Sequence, residues 1–363
     1  MAERSVPSLL LITLSLLGLN LHAVEGHINA IYVFGDSTVD VGNNNYLPLL
    51  TSREAKANFP HYGIDFPTST PTGRFSNGLN AADQLAILLG FPMSPPPYLS
   101  LTPENFTMQM FRGVNFASGG SGIHEYTGSR YKVISMAVQI QYFAMVSGII
   151  TKLMGPVGAS DFLSRCLFLI STGSNDMFEY SFAKRSSRDD AMFLAGLTST
   201  YKEHLKALYN LGARKFGIVS VPPLGCCPSQ RARNHTGGCY EMLNGLSGKF
   251  YPAIGEVLQN LHSELPDMKY ALGNSFSMVG SILESPKPKF KELKFACCGY
   301  GKFYGEYQCN QTFPYCANRT EYLFWDWFHP TQAASEMAAE ALYGGSKKIV
   351  TPMNFKQLAE NDR

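Results

Sequence analysis

Five short runs of β-branched and aromatic residues recur along the chain at wide intervals: "AIYVFGDS", "RGVNFASGG", "CLFLISTGSND", "KFGIVSVPPLG" and "KYALGNSFS". Helical patterns fill the gaps. In "TYKEHLKALYNLG", Tyr201, Leu205, Leu208 and Leu211 fall at helical spacing and Gly212 supplies a stop. Another apolar stripe runs from Glu241 to Leu265, with a kink expected at Pro252 and an end at Pro266. Strands separated by helices require crossover connections, which predict an α/β fold with a mainly parallel sheet covered on both faces. The strands are continuously apolar rather than alternating, as burial on two sides demands.

The 363 residues permit two domains without requiring them. No internal repeat or low-complexity tract appears, and "PMSPPPYL" reads as a surface connector rather than a domain linker. The expectation is a signal peptide over residues 1–25 and a single domain over 26–363. Arg4 precedes the apolar run Leu9–Leu21, followed by "HAVEG", which is the plan of a secretory signal, with cleavage between Ala23 and Gly26. That run is shorter than the ~20 residues of a membrane span, and no later stretch reads as one, so no stable membrane anchor is expected. A net charge of +2 without runs of like charge offers nothing for nucleic acid.

Four glycosylation sequons, at Asn105, Asn234, Asn310 and Asn318, agree with export. So do the cysteines. Cys166 sits in an apolar run and reads as a free buried thiol, whereas the other seven form two loop clusters, Cys226, Cys227 and Cys239, then Cys297, Cys298, Cys309 and Cys316. Disulfides within each cluster are expected, with connectivity open and one loop cysteine left over. No metal-ligand spacing accompanies them, so neither metal nor cofactor is expected.

In a parallel sheet the site lies beyond the carboxyl ends of the strands. Ser37 leaves the first strand, the glycines of "GVNFASGGSG" leave the second, and "STGSND" leaves the third with Asn175. Near the C-terminus, "WDWFHPT" holds Asp326 and His329, and Pro330 is expected to open the helix "TQAASEMAAEAL" with His329 at its cap. A three-residue spacing lets the Asp326 carboxylate fold back on the near imidazole nitrogen, leaving the far nitrogen for a serine. Acyl transfer needs these parts: Ser37 as nucleophile, His329 as base and then acid, Asp326 as its orienting partner. The backbone amides of Ser37 and Gly120 and the side-chain amide of Asn175 would receive the oxyanion. Each piece alone has a plainer reading: Gly-Asp-Ser as a turn, "SND" as a helix cap, "DWFHP" as an ordinary loop. The conjunction in this order favours the chemistry. No GxSxG elbow occurs, which argues against the α/β-hydrolase route.

The blocks "FGDS", "GVNFASGG", "STGSND" and "DWFHPT", with "VPPLGC" and "ACCG", resemble the plant-type GDSL esterase/lipase family of the SGNH hydrolases, from about Ala30 to Leu342. The resemblance implies a three-layer α/β/α, flavodoxin-like fold and hydrolysis of carboxyl esters, often of lipid or cutin type, by a protein of the apoplast or cell wall. It assigns the same roles to Ser37, Gly120, Asn175, Asp326 and His329, with Gly119 competing for the glycine position. Thr38 stands where the family's name has Leu, and Trp327 adds bulk between the two triad partners. An acyltransferase using the same triad, and a non-catalytic wall glycoprotein, are the alternative functions.

Overall fold

The computed structural model describes residues 28–48, 51–182, 189–285 and 289–361. The expected signal segment lies outside these residues. Five parallel strands form the centre: β1 (Ile31–Gly35), β2 (Gly113–Asn115), β3 (Leu167–Ser171), β4 (Lys215–Val219) and β5 (Lys269–Gly273). They lie in the order β2-β1-β3-β4-β5. A later strand, β8 (Val350–Thr351), closes the β5 edge antiparallel. A small separate pair, β6 (Glu292–Ala296) and β7 (Tyr322–Phe324), lies between them in sequence. Register aligns Gly35 with Ser171, Ser171 with Val219 and Val219 with Gly273, so these four strands end on one line. The loops that leave these strands therefore meet at one edge of the sheet.

The helices are α1 (Ala81–Leu88), α2 (Pro103–Met110), α3 (Met136–Ser164), α4 (Ser174–Ser181), α5 (Asp190–Asn210), α6 (Pro228–Arg233), α7 (Glu241–Glu264), α8 (Ser275–Leu283), α9 (Gln332–Gly344) and α10 (Phe355–Glu360). Alternate side chains of a strand point to opposite faces. Tyr32, Phe34, Phe168 and Phe216 thus pack with Phe143 of α3, Leu205 of α5 and Ile254 of α7. Ile31, Val33, Leu167 and Leu169 pack on the other face with Leu85 of α1, Leu342 of α9 and Phe355 of α10. The result is the expected three-layer α/β/α arrangement. Gly217 permits a close approach of an outer layer: a Cβ there would sit 2.5 Å from the Phe355 ring. Full burial of each such side chain contributes roughly 1.5–3 kcal/mol.

Three readings of the helices need correction. α7 runs helical through Pro252 without a break. Its end agrees with expectation, because Leu265 before Pro266 is extended. The break falls instead in α3, at Gly155 (φ 72°), just before Pro156. By length and composition α3 would also suffice to cross a membrane, which the sequence reading overlooked. Its Phe143, Val146 and Ile150 pack into the core against the sheet. The third correction, at Pro330, belongs to the site.

Disulfides join Cys226 to Cys239, Cys297 to Cys316 and Cys298 to Cys309, all within the two clusters. Cys166 and Cys227 are free and buried.

Candidate active site

β7 runs on through Trp325 into Asp326, and the chain then turns tightly: the Trp325 N–H donates to the His329 carbonyl at 2.8 Å. Asp326 is fully buried and holds this turn from inside, its Oδ1 accepting the N–H groups of Phe328 (2.9 Å) and His329 (2.8 Å). The same carboxylate lies 2.8 and 2.9 Å from His329 Nδ1. His329 Nε2 lies 2.8 Å from Ser37 Oγ, 292 residues away in sequence. Pro330 does not open the helix. It bridges to Phe324, and the cap is Thr331, whose hydroxyl accepts the Ala334 N–H at 3.2 Å. His329 is therefore fixed by the turn and by Asp326 rather than by the helix start. A threonine suits this position because its side-chain oxygen satisfies a free helical N–H.

Burial raises the Asp326 pKa, but His329, the Tyr62 hydroxyl and the Phe328 N–H outweigh it and hold the carboxyl below its ordinary value. Tyr62 donates to Asp326 Oδ2 at 2.7 Å. Burial first, and the Asp326 charge second, push the Tyr62 phenol well up, so it stays a donor. The Phe75 ring lies 4.8 Å from the imidazole, centre to centre.

The loop after β2 passes beside Ser37. Gly119 and Gly120 differ in one decisive respect. The Gly119 N–H donates to Asp40 Oδ2 at 2.9 Å, while among the described residues nothing accepts from the N–H groups of Gly120 or Ser37. Gly120 also holds φ +90°, a region that suits glycine. Asn175 is the second residue of α4, whose cap is Gly173, and no side chain caps that helix. The cap reading of "SND" is thereby overturned. The Asn175 amide donates to the Ser121 carbonyl at 2.9 Å and lines the same cavity as Ser37, Gly120 and His329.

Several supports escaped the sequence reading. Asn43 donates to the carbonyls of Asn115 and Ala117, both at 2.8 Å, and Asn44 to that of Gly119, also at 2.8 Å. The asparagine run after the serine thus clamps the glycine loop. Gln139 of α3 accepts from the Gly35 N–H at 2.8 Å and donates to the Gly35 carbonyl and to Ser121 Oγ. The run "GNNN" was a visible signal; Tyr62 and Gln139, far from every motif, had none.

The cavity holds about 610 Å³ and extends from Ser37 between α8 and α9, where its walls are apolar: Met278, Ile282, Leu323, Phe324, Ala338 and Leu342. Trp327 lines it too. A family model described as GDSL-like lipase/acylhydrolase matches residues 31–342. The chain belongs to this family. As a GDSL-family protein it is an enzyme of the carboxylic ester hydrolase type. It is similar to three Arabidopsis thaliana proteins, each named GDSL esterase/lipase. One is 37% identical over 342 residues, 91% of this chain and 90% of the relative. The second is 36% identical over 345 residues, 92% and 90%. The third is 38% identical over 343 residues, 92% of each.

Proposed function

We propose that this GDSL-family chain is a secreted serine esterase or lipase acting on acyl esters of lipid or cutin type. The carrying observation is the continuous contact from Ser37 Oγ through His329 to buried Asp326, at 2.8 Å on either side of the imidazole, at the mouth of an apolar cavity. Ser37 Oγ attacks the ester carbonyl as His329 Nε2 takes its proton. Negative charge then develops on the carbonyl oxygen, which faces the unengaged N–H groups of Ser37 and Gly120 and the Asn175 amide. Collapse expels the alcohol, which receives the proton from His329, and leaves an acyl group on Ser37. Water, deprotonated by the same nitrogen, releases the acid and restores the serine. Asp326 keeps the proton on Nδ1 and stabilises the imidazolium. Export involves cleavage of residues 1–25, leaving one domain over 26–363. The three disulfides and four sequons support that route.

Purified protein incubated with p-nitrophenyl esters of graded acyl length should release nitrophenol, and a fluorophosphonate should block release by labelling Ser37. Ser37→Ala should fold normally and lose several orders of magnitude in turnover. Labelling of another serine would overturn the assignment.

A further inference from the structure

The family's name has Leu after the serine, whereas this chain has Thr38. The threonine hydroxyl is engaged on both sides. It donates to Asp36 Oδ1 at 2.7 Å and lies 2.8 Å from Ser171 Oγ. Because its one proton goes to the carboxylate, the Ser171 hydroxyl is the donor in the second contact. The Thr38 N–H also donates to Asp36 Oδ1, at 2.9 Å, closing a turn around Ser37. Asp36 and Ser171 are both buried, and the Asp36 N–H donates to the Ser171 carbonyl at 3.0 Å. A leucine could make neither hydroxyl contact.

Ser171 is the last residue of β3, and four residues later the same chain presents Asn175. The Thr38 hydroxyl therefore ties the turn that carries Ser37 and its N–H to the strand exit that carries the Asn175 amide. We infer that Thr38 is a positioning residue: its hydroxyl relay from Asp36 to Ser171 sets the spacing between two of the three groups that face the developing oxyanion. This rests on the serine-esterase reading above. Oxyanion donors act only when held at the place where charge forms, so loosening the tie lowers turnover and leaves ground-state binding alone. Burial drives the Asp36 pKa up to about 6, and both Thr38 donors work against that rise, which marks the relay as electrostatically engaged.

The test compares Thr38→Val, which keeps the shape and removes the hydroxyl, with Thr38→Ser, which keeps the hydroxyl. A misplacement of about 1 Å costs on the order of a hundredfold, so a smaller shift should lower kcat about tenfold in Thr38→Val, with KM within twofold. Thr38→Ser should stay close to the wild type. A Thr38→Val enzyme with wild-type kcat, or a Thr38→Ser enzyme as slow as Thr38→Val, overturns the inference. A wild-type enzyme that neither turns over esters nor reacts with the phosphonate overturns the esterase reading instead. A stability cycle combining Thr38→Val with Ser171→Ala tests the relay without activity: bonded hydroxyls give non-additive losses, and additive losses overturn it.

Discussion

Tyr62 donates its hydroxyl to Asp326 Oδ2 at 2.7 Å, across 264 residues of sequence, inside a pocket that excludes water from both. The carboxylate that orients His329 thus depends on a side chain from a loop carrying none of the recognisable motifs. A hydrogen bond to a buried charge contributes about 1.5–3 kcal/mol, so Tyr62→Phe should lose that much stability at neutral pH. Turnover should fall by about tenfold or less, well short of the roughly 10⁴-fold loss seen when a triad acid is neutralised. The pH dependence has a definite sign. Asp326 titrates below its ordinary value in the fold, so its stabilisation is present above the unfolded pKa and vanishes as pH falls through the folded one. Removing the Tyr62 donor raises the folded value, and acid unfolding should begin at higher pH. Denaturant titrations of both proteins between pH 3 and 7 measure this.

Asn175 separates binding from catalysis. Its side chain lines the same cavity as Ser37 and Gly120, and no side chain caps the helix it lies on. Asn175→Ala should lower kcat by about 10²–10³ with KM nearly unchanged. Loss of the contact to the Ser121 carbonyl should cost only about 1 kcal/mol of stability. Normal turnover in the folded variant would remove Asn175 from the oxyanion site.

Asp40 carries a second pH signature. Burial pushes its pKa from 3.8 up to about 6, although the N–H groups of Gly42, Asn43 and Gly119 oppose the rise. A raised carboxyl stabilises the fold fully below the unfolded pKa, and that contribution is lost as pH climbs through about 6. The fold therefore holds most of one proton more at this group than the unfolded chain does near pH 5, and about half a proton more at pH 4 and 6, a slope that peaks at roughly 1.2 kcal/mol per pH unit. Asp40→Asn should remove that slope from the stability curve. It should also slow turnover, because it disturbs the Gly119 N–H contact beside Gly120. An unchanged slope would refute the raised value.

The sequons should not be equally occupied. Asn318 is exposed, with its Oδ1 held by the Thr320 N–H and hydroxyl, and its amide is directed only to the carboxylate of Glu321 at the surface. Asn234 directs its amide nitrogen to the Gly238 and Cys239 carbonyls, both at 3.1 Å, inside the loop closed by Cys226–Cys239. A glycan replaces one amide hydrogen and must leave toward solvent. Peptide mapping after glycosidase treatment of protein from plant culture medium should mark Asn318 and leave Asn234 unmarked. A marked Asn234 would contradict the loop geometry.

The strands and their sheet type were legible from residue pattern alone, because burial on both faces forces continuous apolar runs wherever helices intervene. Asp326 and His329 were legible as a pair because a three-residue spacing confines carboxylate and imidazole to one turn. Spacing carries no such information about Ser37 and His329, which meet only because β1 and the loop after β7 end at the same edge. Which of the Gly119 and Gly120 N–H groups is engaged likewise awaited the fold: both are glycines, and among the described residues only that of Gly119 finds an acceptor, on Asp40. Cystine partners, the free Cys227 and the cap at Thr331 obey the same rule. Each depends on which of several equivalent neighbouring groups the packed chain brings within bonding distance, and local sequence holds that distance for residues a turn apart but not for residues joined through the core.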